Sequence, residues 1–290
     1  MKVYNTIFER HDIKKEGIIS IGFFESFHLG HQKILNELLR ISKEEKFENY
    51  VLTYKNLPCK NPDKKTVLDL NTRIEFIKSL GIKNLILCDY TPEFSSLLPD
   101  QFINLLKINF DIDDFVIGKD FNFGKDKAGN VNNLIKSNSN YSIIEPLYID
   151  NEKVSTSLIK ELIFAGEVEK ANKFMGRNFF IEGIVNKGQQ IGRTIGFPTM
   201  NIHNNDVIFP KAGTYISKTN IKEKEYFSMT YVDDKVVETN LFGYNEFHYN
   251  FKIKVDFLKK IRDNATFENI QELKKQIERD LQTTKQYFGI

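Results

Sequence analysis

The chain has 290 residues, of which 41% are hydrophobic and 13% aromatic; this composition excludes an intrinsically disordered chain, and the length suits two domains better than one. The formal net charge at neutral pH is only +2. Because basic and acidic residues alternate throughout, bulk charge does not indicate a groove for nucleic acid, and most lysines are expected on a solvated surface.

The first half of the sequence alternates between strand-like and helix-like segments. The predicted strands are GIISIGFF, NYVLTY, NLILCDY and DDFVIG, and the predicted helices are QKILNELLRISKEEKF, NTRIEFIKSLG and PDQFINLLKINF. Apolar runs that alternate with helical spacing indicate buried strands joined by crossover helices. We therefore predict a parallel sheet with helices on its faces, in which ligands bind beyond the carboxyl ends of the strands.

The pattern changes after residue 150. Two short segments with helical spacing, STSLIKELIFAG and EVEKANKFMG, each end in glycine. Strand-like segments then run from Phe179 to about Val255 without helices between them, which predicts a small antiparallel barrel. The chain closes with a predicted helix, NIQELKKQIERDLQTTKQYF. The predicted packing stripe of this helix consists of Ile270, Leu273, Ile277 and Leu281. The domain boundary is expected between residues 150 and 180.

The two cysteines and the apolar runs indicate in which cellular compartment the chain is expected. Cys59 and Cys88 lie far apart in unrelated contexts, which is neither a disulfide framework nor a CxxC metal knuckle. The charged first residues lack the apolar core of a signal peptide, and no apolar run approaches membrane-spanning length. We therefore expect a soluble protein of the reducing cytoplasm.

The first candidate site is GFFESFHLGH, residues 22–31, which places His28 and His31 where a strand gives way to a helix. The start of a helix offers free N–H groups and the positive end of the helix dipole to an anion. Histidines there donate hydrogen bonds to phosphate oxygens. The residues alone leave three interpretations open: histidines that only pack, a phosphate-binding pair, or metal ligands. A metal site needs further ligands, and the neighbourhood offers only Glu25 and distant His11.

Two further stretches of the first half carry polar and aromatic groups. The loop IGKDFNFGKDKAG, residues 117–129, combines three glycines with Asp120, Phe121 and Phe123. Glycine lets the backbone approach a ligand and either ring could face a planar group, although a surface loop anchored by its aromatic residues has the same composition. KVSTS, residues 153–157, precedes a helix, so its hydroxyls are either ordinary N-caps or part of a phosphate site with Lys153.

The second half contains GQQIGRTIGFPTMNI, residues 188–202, in which Pro198 is followed by Thr199 and Asn201. On a strand, residues two apart project from one face. A hydroxyl and an amide side by side can hold a hydrated Mg²⁺ and nucleotide phosphates. The later segment VVETNLF adds Glu238, which is either an exposed strand carboxylate or a general base toward a hydroxyl.

Together and in this order, these stretches resemble the bifunctional prokaryotic riboflavin kinase/FAD synthetases over nearly the whole chain. GFFESFHLGH is similar to the HxGH nucleotidyltransferase motif, and IGKDFNFGKDKAG to the loop that contacts flavin and nucleotide. KVSTSLIKELI is similar to the Ser/Thr-rich motif before a helix. IGRTIGFPTMNI resembles the kinase signature with its PTxN segment, and Glu238 stands at the position of the catalytic glutamate.

The resemblance implies two domains. Residues 1–175 would form a Rossmann-like FMN adenylyltransferase (FAD synthetase) domain with helices on both faces of a parallel sheet. Residues 176–290 would form a riboflavin kinase domain, an antiparallel β-barrel with a terminal helix. The implied reactions are phosphorylation of riboflavin to FMN by ATP and adenylylation of FMN to FAD with release of pyrophosphate, both with Mg²⁺. The implied partners are flavins and ATP, with no nucleic acid and no membrane, and the chain would be a monomer or a weak homo-oligomer.

The resemblance also implies the roles of individual residues. The catalytic residues would be Glu238, His28 and His31. The nucleotide-binding residues would be Gly22, Phe23, Gly30, Lys153, Thr156, Ser157, Gly192, Gly196, Pro198, Thr199 and Asn201, with Thr199 also binding Mg²⁺. The flavin-binding residues would be Asp120, Phe121, Phe123 and Arg262.

Two alternative functions remain at this point. Glu25 and Ser26 stand where the family has Asp and Gly, Leu57 replaces a histidine, and Lys160 replaces an arginine. These differences favour, as the alternative, a riboflavin kinase with a vestigial adenylyltransferase domain. The other alternative is a flavin-binding regulatory or storage protein without turnover. Glu238, in one set with the PTxN residues, argues against it, because binding alone needs no base.

Overall fold

The computed structural model describes residues 1–56, 65–187, 196–222, 224–233, 236–244, 246 and 249–290. Leu57, Cys59 and Gly192, all named above, lie outside these described residues. By its internal contacts the chain divides into two compact units, Met1–Ser155 and Thr156–Ile290. This division lies near the start of the expected boundary region, residues 150–180. The reason is that the helix Val168–Met175 packs against two strands of the second unit.

The first unit is built on a six-stranded sheet in which every neighbouring pair of strands is parallel. The strands of this sheet are β1 (Lys2–Tyr4), β2 (Gly17–Ile21), β3 (Glu48–Tyr54), β4 (Asn84–Cys88), β5 (Ile112–Gly118) and β6 (Asn140–Ile144). The helices are α1 (Leu29–Glu45), α2 (Leu70–Ser79), α3 (Pro92–Ser95), α4 (Pro99–Phe110) and α5 (Val131–Lys136). A short antiparallel pair, β7 (Tyr148–Ile149) and β8 (Glu152–Lys153), follows. The predicted parallel sheet is confirmed.

The strand order places β2 at a reversal of the chain's direction across the sheet. The order is β1-β4-β3-β2-β5-β6. From β2 the chain moves through α1 to β3 on one side, whereas β5, on the other side of β2, leads to β6. Ligands of open α/β sheets bind beyond the carboxyl ends of two such neighbouring strands. The loops that follow β2 and β5 are therefore the expected binding loops of this unit.

Local sequence sets the ends of several elements in the first unit. His28, Asp69 and Thr91 are N-caps whose side chains accept the backbone N–H three residues later, and Pro99 opens α4. Such caps satisfy donors that have no partner within the helix. The predicted first strand extended to residue 24, but β2 ends at Ile21 because the chain then turns through a left-handed residue.

Within its described residues, the second unit is a closed barrel of six strands, with two helices before the barrel and one after it. The helices are α6 (Thr156–Ala165), α7 (Val168–Met175) and α8 (Ile270–Phe288). The strands are β9 (Phe179–Asn186), β10 (Met200–His203), β11 (Gly213–Ile221), β12 (Lys224–Val232), β13 (Val237–Leu241) and β14 (Lys252–Asp263). Every neighbouring pair in the barrel order β10-β13-β12-β11-β14-β9 is antiparallel. The predicted antiparallel barrel is confirmed.

The barrel interior contains a closed ring of five hydroxyl groups, each fully buried. Ser217 bonds to Ser228 and Thr230 at 2.8 and 2.7 Å. Thr219 bonds to Ser228 and Thr239 at 2.9 and 3.1 Å, and Thr230 donates to Thr239 at 2.9 Å. A buried hydroxyl without a partner is costly, so the closed ring explains how β11, β12 and β13 tolerate polar side chains inside the barrel.

The terminal helix packs through most of the predicted stripe. Leu273, Ile277 and Leu281 are half-buried, whereas Ile270, the first residue of the helix, is 53% exposed. The fully buried residues of α8 are Asp280 and Thr284. The ring of Phe288 stacks on Phe227 of β12 with centroids 4.1 Å apart. Within the described ranges, no helix is both long and apolar enough to cross a membrane.

Candidate active sites

The first candidate site lies at the carboxyl ends of β2 and β5, the neighbouring strands where the chain reverses its direction across the sheet. Residues 22–28 connect β2 to α1, and the loop with the two phenylalanines begins directly after β5. Two stretches that are far apart in the sequence therefore begin at the same edge of the sheet. The sequence predicted each stretch separately, and the strand order accounts for their common location.

The two histidines form a stacked pair at the start of α1. The His28 Nδ1 accepts the backbone N–H of His31 at 3.0 Å, and the two rings stack with centroids 3.6 Å apart. Because its Nδ1 accepts, neutral His28 carries its proton on Nε2. A Cβ at Gly30 would lie 3.1 Å from the His28 ring, so a larger residue there would press on the pair. The pair thus offers imidazole groups beside the N-terminus of a helix.

Burial keeps both imidazoles neutral near pH 7. Desolvation lowers the pKa of His28 to about 4, and it lowers the pKa of His31 well below its usual value. The neighbouring His28 is the second cause of the His31 shift. A bound phosphate would oppose both shifts because an anion favours the charged imidazolium. In the part of the chain that the structure describes, no group of three or more His, Cys, Asp or Glu residues is placed to hold a metal ion.

The loop before the histidines is held in an unusual conformation. Phe24 and Phe27 have positive φ values of 52° and 48° although neither is glycine, and both are buried. A non-glycine residue in this region costs on the order of 1–3 kcal/mol. Glu25 and Ser26 between them are also buried, and a Glu25 carboxylate oxygen accepts the Val67 N–H at 3.3 Å. The surrounding contacts therefore maintain a strained loop directly next to the candidate site.

Gly22 and Phe23 belong to the same loop. The Gly22 N–H donates to the Leu52 carbonyl at 3.0 Å, and a Cβ at position 22 would lie 3.0 Å from the Phe24 ring. The Phe23 carbonyl accepts hydrogen bonds from the Thr53 hydroxyl at 3.2 Å and from Arg73 at 2.9 Å. These contacts fix the backbone of both predicted nucleotide-binding residues.

Asp120 and Lys153 are brought together from separate stretches. Their side chains form an ion pair although both are partly exposed. Lys153 ends β8, and Asp120 lies just after β5. Thr156 and Ser157 are the first two residues of α6, which the contacts assign to the second unit. The structure thus joins the phenylalanine loop to the beginning of the KVSTS stretch.

The two aromatic residues of the loop differ in exposure. Phe121 and Phe123 stack with centroids 5.6 Å apart. Phe123 is only 6% exposed, packs against Phe102, and exchanges two backbone hydrogen bonds with Gly129. A Cβ at Gly129 would lie 2.8 Å from the Phe123 carbonyl oxygen, which explains the glycine there. Phe123 therefore anchors the loop in the core, and Phe121 is the more accessible ring.

One buried residue of the first site was not predicted from the sequence. Arg73 of α2 is 2% exposed, and its guanidinium donates to backbone carbonyls at the ends of β2 and β3. The available signal was its position on the apolar side of a predicted helix, four residues before Ile77. A charged residue at such a position is unusual unless it has a specific set of partners.

The second candidate site lies on β10 and β13 of the barrel. The Thr199 hydroxyl donates to the Glu238 carboxylate at 3.3 Å, and Asn201 is the direct cross-strand partner of Glu238. Asn240, two residues after Glu238, donates to the Pro198 carbonyl at 2.7 Å. The structure thus brings together three residues that the sequence predicted from two distant stretches, and Asn240 is an additional residue that holds the Pro198 backbone.

The environment of Glu238 suits a base. Burial raises its pKa, and the nearby Asp233 adds to this, while the hydrogen bond from Thr199 acts in the opposite direction. A carboxylate with a raised pKa has a higher proton affinity than an exposed one. Gly196, just before this segment, has a φ of 91°, a conformation that favours glycine.

Arg262, predicted as a flavin contact, is paired with the terminal helix. Its Nε and Nη2 lie 2.8 and 2.7 Å from Oδ2 of Asp280 in α8. The other oxygen of Asp280 accepts from Gln276 at 2.8 Å, and the Arg262 guanidinium lies 5.9 Å from the Phe267 ring centroid. The Arg262 guanidinium thus attaches α8 to the barrel.

Known families match both units in the order that the sequence predicted. The FAD synthetase family matches residues 10–158, and the riboflavin kinase family matches residues 175–288. The chain is 32% identical to the bifunctional riboflavin kinase/FMN adenylyltransferase of Bacillus subtilis, over 100% of this chain and 99% of that protein. It is 33% identical to the protein of the same name from Buchnera aphidicola subsp. Schizaphis graminum, over 100% of both chains.

A solved structure shares the fold of the chain. The crystal structure of a macrolide-efflux protein from Streptococcus pneumoniae has a TM-score of 0.90 and 25% sequence identity, covering 98% of this chain and 99% of that one. The matches to both families support an enzyme with two activities; they do not support the kinase-only alternative or a protein that only binds flavin. The chain belongs to the bifunctional riboflavin kinase/FAD synthetases, with an FAD synthetase module followed by a riboflavin kinase module.

Proposed function

We propose that the two sites divide the two reactions of the family between them. The Glu238 site phosphorylates riboflavin to FMN, and the His28–His31 site transfers the adenylyl group of ATP to FMN, forming FAD and pyrophosphate. The observation that carries this proposal is that each matched module has its own polar site, with Thr199, Asn201 and Glu238 adjacent in one and the stacked histidines in the other. The proposed domain division remains residues 1–175 and 176–290.

In the kinase reaction, Glu238 accepts the proton of the terminal ribityl hydroxyl as its oxygen attacks the γ-phosphorus of ATP. The new P–O bond forms as the bond to the ADP oxygen breaks, with no covalent enzyme intermediate. Burial supports this role because it raises the pKa of the carboxyl group. Thr199 and Asn201 hold the nucleotide phosphates beside the base.

We propose that Thr199 also binds Mg²⁺. Its hydroxyl lies 3.3 Å from the Glu238 carboxylate, and Asn201, two residues after Thr199, is the cross-strand partner of Glu238. Hydroxyl, amide and carboxylate oxygens are the donors that Mg²⁺ accepts, usually with several waters retained, so these residues fit the ion. The ion would neutralise charge on the ATP phosphates. We propose that Arg262 contacts the flavin, and that Gly196 and Pro198 contribute to the nucleotide site.

In the adenylylation reaction, a phosphate oxygen of FMN attacks the α-phosphorus of ATP. The bond between the α-phosphorus and the bridging oxygen breaks, and the electron pair leaves with pyrophosphate. His28 and His31 stabilise the charge that develops on the phosphates by donating hydrogen bonds at the start of α1. We propose that Gly22, Phe23 and Gly30 shape the nucleotide site, and that Lys153, Thr156 and Ser157 contact phosphate. We propose that Asp120, Phe121 and Phe123 contact the flavin.

One assay tests the proposed function. The purified chain is incubated with riboflavin, ATP and Mg²⁺, and the products are separated by chromatography. We expect FMN to appear first and FAD to follow. If FMN forms without FAD, the assay supports only the kinase activity. If riboflavin is unchanged, both proposed activities are refuted. Omitting Mg²⁺ and adding a chelator should abolish both products, and turnover without the ion would refute its assignment.

We further propose a cytoplasmic enzyme that acts on free flavins and ATP, requires no nucleic acid, and is a monomer or weak homo-oligomer. The small net charge and the alternating signs of the surface residues support the absence of a nucleic-acid partner. Light scattering after gel filtration measures the oligomeric state, and a stable assembly larger than a dimer would contradict this part of the proposal.

A further inference from the structure

The buried Arg73 holds the loop that precedes the histidine pair. Its Nη1 donates to the Phe23 carbonyl at 2.9 Å and its Nη2 donates to the Tyr54 carbonyl at 3.1 Å. The guanidinium also lies 4.2 Å from the centroid of the Phe23 ring. Phe23 follows β2 and Tyr54 ends β3. One side chain therefore links the carboxyl ends of two neighbouring strands at the candidate site.

The charge of Arg73 persists despite its burial. Desolvation lowers its pKa to about 10, while Glu25 and Asp69 act in the opposite direction. The group is therefore still protonated at neutral pH. A buried guanidinium is expensive to desolvate, so its retention in the core indicates that its hydrogen bonds have a specific purpose. Three of these bonds go to backbone carbonyls, those of Phe23, Tyr54 and Lys55, so they fix the position of the backbone.

The helix α2, which carries Arg73, contacts the loop of residues 22–28 near its beginning and near its end. Arg73 binds the Phe23 carbonyl, directly before the left-handed Phe24. Phe76, one turn later on α2, stacks on the left-handed Phe27 with centroids 5.0 Å apart. The two strained residues of the loop thus lie beside contacts that α2 provides. Without the bond to Arg73, the Phe23 carbonyl would keep only the Thr53 hydroxyl among its described partners.

The loop of residues 22–28 also contacts the histidine pair and the residue that follows it. The Phe24 ring contacts the edge of the His31 ring, with centroids 5.2 Å apart and an interplanar angle of 72°. The Phe27 carbonyl accepts from Gln32 at 3.0 Å, one residue beyond His31. A shift of the Phe23 carbonyl would therefore displace the packing that orients His31.

We propose that Arg73 is a positioning residue for adenylyl transfer. It fixes the loop of residues 22–28, and through Phe24 it fixes the orientation of His31, without itself contacting substrate. This inference rests on the proposed adenylylation site. The alternative is that Arg73 only stabilises the fold of the first unit, and a comparison of kcat, KM and stability separates the two.

The test compares Arg73→Met with Arg73→Lys, using the full chain and FMN as substrate. Misplacement of catalytic groups by about 1 Å can reduce turnover on the order of 10²-fold. We expect Arg73→Met to lower kcat for FAD formation by about 30-fold to 100-fold while KM for ATP changes less than about threefold. Arg73→Lys retains a cation but donates from a single nitrogen instead of a planar guanidinium, so its kcat for FAD formation should be about tenfold higher than that of Arg73→Met.

Two controls make the result decisive. Riboflavin phosphorylation by the same protein should stay within about twofold, because that site lies in the other module. Arg40→Met removes an exposed arginine of α1 that pairs with Glu37 and Glu44, and it should leave FAD formation unchanged. The melting temperature of each variant is measured so that all assays run on folded protein. If Arg73→Met does not fold, the test uses Arg73→Lys alone. A reduced kcat for FAD formation by this variant then supports the proposal.

The proposal is overturned if folded Arg73 variants keep the kcat of the unmodified chain, even where they melt at lower temperature. It is also overturned if KM for ATP rises while kcat is unchanged, or if both activities fall together. Failure of the unmodified chain to make FAD from FMN refutes the proposed function and the inference together. Normal FAD formation by the unmodified chain with unaffected Arg73 variants refutes the inference alone.

Discussion

At the scale of single residues, Glu238 combines partial burial with a hydrogen bond from the residue that precedes β10. Desolvation raises its pKa, and Thr199 donates to its carboxylate. Glu238→Gln preserves shape but removes the base, so FMN formation should fall about 10²-fold to 10⁴-fold. Steady-state kinetics with riboflavin and Mg–ATP measures this. Glu225→Gln, at an exposed position of β12 that pairs with Lys218, is the matched control. Near-normal turnover of Glu238→Gln would refute the assignment of the base.

The depressed pKa of His28 makes stability depend on pH. The pKa is about 4 in the folded chain, against about 6.5 in an unfolded one. Below pH 6.5 the unfolded chain binds more protons, so the free energy of unfolding of the first unit should decrease as the pH is lowered toward 4. The loss due to this group reaches about 3 kcal/mol at pH 4. The stabilisation is complete above pH 6.5.

A variant isolates this contribution from that of the carboxylates. His28→Asn keeps a side chain that caps helices well but does not titrate. Urea denaturation followed by circular dichroism at pH 7 and pH 4.5 should therefore show a smaller acid-induced loss in the variant than in the unmodified chain. Equal losses in the two proteins would contradict the burial of a neutral His28.

At the scale of secondary-structure elements, the hydroxyl ring joins β11, β12 and β13 inside the barrel. Thr239→Val keeps the side-chain shape but leaves Thr219 and Thr230 each without one ring partner. The expected loss in free energy of unfolding is about 1–3 kcal/mol, the usual cost of an unsatisfied buried polar group. Chemical denaturation of the full chain measures it. Thr283→Val, at an exposed position of α8, is the control, and equal stability of both variants would contradict a closed ring.

At the scale of the whole molecule, two compact units carry two sites, so their activities should separate by mutation. His31→Ala removes one member of the histidine pair and should impair FAD formation from supplied FMN, by about 10²-fold or more if the pair stabilises the transition state. Riboflavin phosphorylation by the same protein should be largely retained. Product chromatography with each substrate alone measures both activities. An equal fall in kinase activity would mean that the two sites are not independent.

Sequence patterns predicted the larger architecture because periodicity reports burial. The apolar run before residue 22 and the helical spacing after it predicted β2 and α1, and strand-like segments without helices predicted the barrel. These patterns did not predict the pairing of Asn201 with Glu238, because the pairing register of two strands depends on segments that are distant in sequence. Family resemblance, rather than periodicity, predicted that these two residues act together.

Other features could not be predicted because their causes are tertiary. The position of Arg73 on the apolar side of a predicted helix does not identify its acceptors, which are the Phe23 carbonyl after β2 and the Tyr54 carbonyl at the end of β3. Phe24 has no sequence signal for a left-handed conformation, since bulky residues rarely adopt it. The attachment of α8 is also tertiary, because buried Asp280 pairs with Arg262 on the preceding strand. Periodicity alone cannot identify such an ionic attachment.

The pairing of Arg262 with Asp280 has a genetic consequence. A premature stop codon after the last barrel strand would delete α8 and leave the Arg262 guanidinium without the carboxylate that now neutralises it. The same truncation would remove the Phe288 ring from Phe227. The division of internal contacts places these losses entirely within the second unit. Nonsense mutations near the 3′ end of the coding sequence would therefore impair riboflavin phosphorylation while the encoded fragment retains every residue of the adenylylation module.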